Sequence, residues 1–118
     1  MNWISLIDEE QLDSIKEQSN TQPILIFKHS TTCSISSMAK SRLERSQAPD
    51  TIAYYYLDLR RYRSVSNMVA DIFSVHHESP QVLLIKNGEC IYEESHNGIQ
   101  MDEILEQLKN QSANQPIN

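Results

Sequence analysis

Two rhythms of apolar residues organise this chain: compact runs that suit strands, and positions recurring every three or four residues that suit helices. Trp3-Ile4-Ser5-Leu6 is short and partly alternating, which predicts a strand. Asp8 followed by Gln11 has the spacing of a capping box, and Leu12 and Ile15 fall on one face of a helix ending near Asn20. Pro23 opens the run ILIF, expected to be a central strand buried on both faces. From Cys33 onward Ile35, Met38, Ala39 and Leu43 keep helical spacing to about Gln47, where Ala48-Pro49-Asp50 breaks it. The segment TIAYYYLDL is rich in aromatic and branched residues and predicts a third strand. Val65, Met68, Val69, Ile72 and Phe73 then outline an amphipathic helix. QVLLIK and ECIYEE flank Asn87-Gly88, the dipeptide favoured by type I′ hairpins, and Met101, Ile104, Leu105 and Leu108 give a last helix. The order β-α-β-α-β-α-β-β-α predicts an α/β fold with a mixed central sheet flanked by helices.

Composition narrows what such a fold can do. The 118 residues, 39% of them apolar, suffice for one domain with a true core, assigned to 1–110, followed by a polar tail at 111–118. A formal net charge of −6 argues against nucleic acid as a partner. No apolar run is long enough to span a bilayer, and the start MNWISLIDEE is acidic where a secretory signal is basic and apolar, so no membrane partner and a cytoplasmic location are expected. In a reducing compartment the two cysteines are a poor pair for a structural disulfide, and each needs its own explanation.

Cys33 stands where ILIF-KHSTT gives way to a helix. There the first peptide N–H groups point outward and can hydrogen-bond a sulfur anion, the species that attacks disulfides. The plainer reading is a small buried hydrophobe. Ser36 occupies the second position of a Cys-x-x-Cys motif and cannot form the internal disulfide that expels a substrate, which implies a monothiol mechanism. Its hydroxyl either meets the Cys33 sulfur or satisfies a first-turn N–H. Cys90, placed after the hairpin turn at the far end of its strand, is out of reach of Cys33 and is assigned to packing. Arg60, Arg61 and Arg63 follow the third strand at its carboxyl end, the ligand side of open parallel sheets, where they either fork onto carboxylates or form a solvated face. His29, four residues before Cys33, either supports the thiolate when charged or is a satisfied strand-end residue. Neither it nor His76 and His77 has companions at metal-ligand spacing, so no metal is expected.

The element order, Cys33 at the strand-to-helix junction, Ser79-Pro80 ahead of the hairpin and Asn97-Gly98 before the last helix resemble the thioredoxin superfamily from about residue 3 to 109. The run Thr31-Thr32-Cys33-Ser34-Ile35-Ser36 is similar to that of monothiol bacilliredoxins of the YtxJ type, with Ser34 where the commoner form has proline. The resemblance implies a thioredoxin-like fold and a cytosolic thiol-disulfide oxidoreductase that removes bacillithiol from protein mixed disulfides. It makes Cys33 the nucleophile, supported by Thr32, Ser34 and Ser36. Pro80 would be cis, with the Ser79 backbone facing the sulfur, and Asn97, Gly98 and Asp102 would flank the low-molecular-weight thiol. Arg60 would suit the malate carboxylates of bacillithiol. The implied partners are S-bacillithiolated clients and bacillithiol itself, as cosubstrate, with no bound cofactor.

Three rival readings stay open. A thiol peroxidase would also use one cysteine at a helix start, but the proline-threonine frame expected ahead of it is missing, with Ile26 in the proline's place. An iron–sulfur-binding monothiol protein would purify brown. A noncatalytic redox sensor would be modified stoichiometrically without turnover.

Overall fold

A computed structural model describes residues 1–113. The elements run β1 (Trp3–Ser5), α1 (Glu10–Gln18), β2 (Ile24–His29), α2 (Ser34–Arg45), β3 (Ala53–Asp58), α3 (Arg63–Phe73), β4 (Gln81–Lys86), β5 (Glu89–Ser95) and α4 (Met101–Ala113), with a 3₁₀ turn at His96–Gly98. The strands form one mixed sheet in the order β1-β3-β2-β4-β5, with β1, β3 and β2 parallel and β4 and β5 antiparallel to their neighbours. This is the thioredoxin-like α/β architecture that the sequence predicts. Helix α4 continues through the first residues of the span read as a tail, and 114–118 lie outside the described residues.

Strand β2 is central and buried at every position. Its alternation divides the core: Ile24 and Ile26 pack with Leu12, Ile15, Val65 and Val69 of α1 and α3, while Leu25 and Phe27 pack with Ala39, Leu43 and Ile104 of α2 and α4. Each of the larger side chains contributes about 1.5–3 kcal/mol of burial free energy, so the strand that carries the candidate thiol at its exit is firmly held. Local signals agree with the packing. The Gln11 N–H donates to Asp8 Oδ1 at 3.0 Å and the Asp8 N–H to Gln11 Oε1 at 3.2 Å, a reciprocal capping box. Asn87 and Gly88 have φ of 54° and 77°, the positive pair a type I′ turn requires. Helix α2 is fastened to the sheet edge by Trp3 Nε1–H, which donates to Glu44 at 3.0 Å.

Candidate active site

Strand directions bring distant residues to one end of the sheet. Lys28 pairs with Gln81 across β2 and β4, and Gln81 pairs with Ser95 across β4 and β5, so Pro80 and His96–Gly98 both lie at the carboxyl end of β2. The His96 N–H donates to the Pro80 carbonyl at 3.0 Å and ties those two segments together. Asp58 pairs with His29 at the same end of β3, which sends Arg60 toward the turn after β2. Arg60 Nη1 hydrogen-bonds Thr32 Oγ1, next to Cys33. The Ser79-Pro80 peptide is cis. Arg42 of α2 donates to the carbonyls of Ile99 at 3.0 Å and His96 at 3.3 Å, bracing the Asn97-Gly98 segment against the helix that follows Cys33.

Cys33 is the N-cap residue of α2, in extended conformation with φ −102° and ψ 120°, and half-buried. Its N–H donates to the Ser30 carbonyl and its carbonyl accepts from Ser37 N–H, so the thiol is held at the mouth of the helix. The N–H groups of Ser34, Ile35 and Ser36 precede the first intrahelical bond, and no acidic residue occupies that first turn. A sulfur anion therefore meets donors and no carboxylate. Thr32 and Ser34, on either side of Cys33, are exposed.

Neither reading offered for Ser36 describes what its hydroxyl does. Ser36 is fully buried, its Oγ lies 2.6 Å from His29 Nδ1, and it accepts the Ser30 N–H at 3.0 Å. Burial, then Lys40, holds His29 below its ordinary pKa, against smaller opposing pulls from Asp58 and Glu44. The neutral ring accepts at Nδ1, so the Ser36 O–H donates to it. The hydroxyl is thereby committed to strand β2, and it locks the helix onto the strand behind the thiol. His29 itself stacks on Phe27 with centroids 5.5 Å apart and leans on Tyr56. It is a satisfied core residue, and its charged form is the disfavoured one.

Other predicted residues fall at the same end with looser ties. Asn97 and Gly98 are exposed beside Pro80, and Asp102 is an acid in the first turn of α4. A Cβ on Gly98 would come within 2.6 Å of the Glu94 side chain, so the glycine serves close approach, while the positive φ of this turn, 56°, belongs to His96. Arg61 lies over the Tyr62 ring and faces solvent. Cys90 is at the opposite end, packed against the α1/α3 core, with Sγ 3.3 Å from the Tyr92 carbonyl; burial pushes its thiol up to about 11. Lys28 and Gln81, to which the sequence assigns no role of their own, are both fully buried next to the Pro80 segment. The signal for Lys28 was a charge following ILIF on the same face as Ile24 and Ile26.

A surface cavity of about 500 Å³, lined by Gln18, Gln22, Asp50, Ile52 and Tyr54 among others, opens at the amino ends of β2 and β3. It is at the wrong end for Cys33, so the placement of donors and not cavity size marks the site. Among the described residues no group of three or more His, Cys, Asp or Glu side chains is arranged to hold a metal ion, and no helix is long and apolar enough to cross a membrane.

Residues 4–104 match the sequence model of the family described as Monothiol bacilliredoxin BrxC. Among solved structures, a protein described as having a thioredoxin fold superposes with a TM-score of 0.80 at 28% identity, covering 90% of this chain and 93% of that one. Thioredoxin from Trypanosoma brucei brucei superposes with a TM-score of 0.75 at 10% identity, over 96% of this chain and 93% of that one. Thioredoxin from Fasciola hepatica does so with a TM-score of 0.68 at 14% identity, over 90% and 96%. At these lower identities the likeness speaks for the fold alone.

Proposed function

Because the chain belongs to the Monothiol bacilliredoxin BrxC family and has a thioredoxin-like fold, we propose that it removes bacillithiol from protein mixed disulfides through Cys33. One observation carries this reading: the half-buried Cys33 caps α2, while Ser36, in the position of a resolving thiol, is buried and bound to His29. The chain has a nucleophile and no internal partner to expel what it captures.

The exchange balances in two steps. The Cys33 thiolate attacks the bacillithiol sulfur of the client's mixed disulfide, forming a Cys33–bacillithiol disulfide and releasing the client thiolate, which takes a proton from solvent. A second bacillithiol thiolate then attacks the bound bacillithiol sulfur, leaving bacillithiol disulfide and regenerating Cys33. Free N–H groups at the start of α2 stabilise the sulfur anion in both directions. The Ser79 backbone beside Pro80 pairs with the peptide or cysteinyl part of the substrate, which aligns three sulfurs in line. Arg60, held beside Cys33 by its bond to Thr32, forks onto a malate carboxylate of bacillithiol, and Asn97 and Gly98 border the same ligand. Bacillithiol is a cosubstrate, no metal or organic group stays bound, and the reaction runs in the cytosol.

Intact-mass analysis tests this directly. Reduced protein mixed with a bacillithiolated client is expected to gain one bacillithiol as client thiol appears, with less transfer from a glutathionylated copy. A client that keeps its adduct while Cys33 stays unmodified would sink the transfer mechanism and favour peroxidase, sensor or cluster-binding roles.

A further inference from the structure

Strand β2 carries one ionisable side chain that the exchange chemistry leaves unused. Lys28 lies on the α1/α3 side of the sheet, following Ile24 and Ile26, and is fully buried. An ammonium there costs stability unless its hydrogens find acceptors, and desolvation lowers its pKa to about 8. No carboxylate pairs with it among the described residues. Its Nζ donates instead to the Ser66 carbonyl of α3 at 3.3 Å and lies 3.3 Å from His77 Nδ1. His77 belongs to the segment that delivers Ser79 and Pro80.

The cross-strand neighbour of Lys28 grips the same segment. Gln81 is fully buried; its Nε2 donates to the His76 carbonyl at 3.0 Å and to Glu93 Oε2 at 3.1 Å, and its Oε1 accepts the Glu78 N–H at 3.4 Å. Residues 76, 77 and 78 are thus each tied to a buried pair on β2 and β4, immediately before Ser79 and Pro80.

We propose that Lys28 is a positioning residue for the exchange reaction: through a neutral His77 it fixes the segment preceding Ser79-Pro80, and protonation of His77 releases that segment. The proposal rests on the reading of Cys33 as an exchanging nucleophile. The Lys28 ammonium needs a lone pair at Nδ1, which His77 offers only when uncharged. A charged ring would set two cations against each other at that distance. Burial, then Lys28 and Arg63, and more weakly His76, hold His77 below its ordinary pKa, and Glu78 opposes them. Glu78 in turn lies 3.7 Å from His96. The contact is therefore present at neutral pH and is lost as pH falls below about 6.5 through the pKa of the ring.

The test compares Cys33 reactivity toward two disulfides. An aromatic nitrobenzoate disulfide reports the thiolate alone, whereas a peptidyl cysteine disulfide must also pair with the backbone at Ser79. For the wild type, the ratio of peptide to aromatic rate is expected to fall about tenfold between about pH 7.5 and 5.5. Lys28→Met, which keeps the length and removes the donor, should show the low ratio at both pH values. His77→Ala should do the same, and His77→Asn, whose amide oxygen accepts without titrating, should restore the high ratio and keep it at the lower pH. Equal ratios for Lys28→Met and wild type, or a wild-type pH profile in His77→Asn, would overturn the proposal. Amide exchange at Glu78 in the same samples reads the segment independently of chemistry: it should be about tenfold faster in Lys28→Met, and unchanged protection also overturns the proposal. A wild type unreactive toward both disulfides would count against the exchange reading and leave the amide result to decide the segment.

Discussion

The chain presents the same side chain, a half-buried free cysteine, at opposite ends of the antiparallel pair formed by β2 and β4. At the carboxyl end of β2, Cys33 caps α2 with the first-turn N–H groups ahead of it and Arg60 bonded to the adjacent Thr32, at the end of the sheet that also holds Ser79-Pro80. At the hairpin end, Cys90 packs under α1 and α3, leans its sulfur on a carbonyl, and has its thiol pushed up to about 11 by burial. The difference lies in the backbone around each sulfur. Backbone N–H donors stand at one sulfur, and an acceptor with apolar walls at the other, where it disfavours the anion.

The sharpest way to break this comparison is to remove each thiol in turn. Cys33→Ser is expected to abolish transfer of bacillithiol from a client, while Cys90→Ala keeps the rate within about twofold and costs about 1 kcal/mol of stability, read from urea unfolding. Transfer surviving in Cys33→Ser would reverse the assignment of the two ends. The next effect concerns what stands behind Cys33. Ser36→Ala leaves the Ser30 N–H and His29 Nδ1 buried without their partner, a loss of about 1–3 kcal/mol of folding stability. A stability equal to that of wild type would show that the hydroxyl does not lock α2 to β2.

Why was the Cys33 end only half legible in the sequence? Its skeleton was readable because ILIF, the aromatic third strand and the Asn-Gly turn have short periods that a single strand or turn satisfies by itself. Cys33 was readable because a helix start is a local event. Ser36 was not, since its bond to His29 depends on how the turn after β2 folds back, whereas spacing along the chain offers only the Cys33 sulfur and a first-turn N–H. Arg60 meets Thr32, and Arg42 reaches Ile99, only once the sheet order is known. The Asn97-Gly98 pair marked a turn, but the close approach of Glu94 at Gly98 and the positive φ at His96 are both set by how that turn packs in three dimensions.

A smaller effect is confined to the Cys33 end and shows in the pH dependence of stability. The depressed pKa of His29 means that, below the unfolded value of about 6.5, the unfolded chain takes up a proton that the folded chain still refuses. Its contribution to stability is complete above that value and is lost as pH falls through the folded pKa, so urea midpoints should decline from about pH 7 to 5. His29→Gln should flatten part of that slope, with the remainder expected from His77, shifted in the same direction. A slope identical to that of wild type would remove His29 from the account.

The smallest effect belongs to Arg60, because exposed ion pairs contribute about 0.2–1 kcal/mol. Arg60→Ala is expected to raise KM for a bacillithiolated peptide by up to about fivefold with kcat little changed, since a contact made equally before and during sulfur transfer moves binding alone. Salt then distinguishes two ways in which the guanidinium could act. If it pairs with a malate carboxylate across solvent, raising ionic strength from about 0.05 to 0.5 M screens the pair and brings wild type and variant together. If it works through its bond to Thr32, by holding the turn ahead of Cys33, the difference persists in salt and extends to disulfides that carry no carboxylate. The first outcome makes the Cys33 end a ligand site as well as a thiolate site; the second makes Arg60 part of the frame that separates it from the Cys90 end.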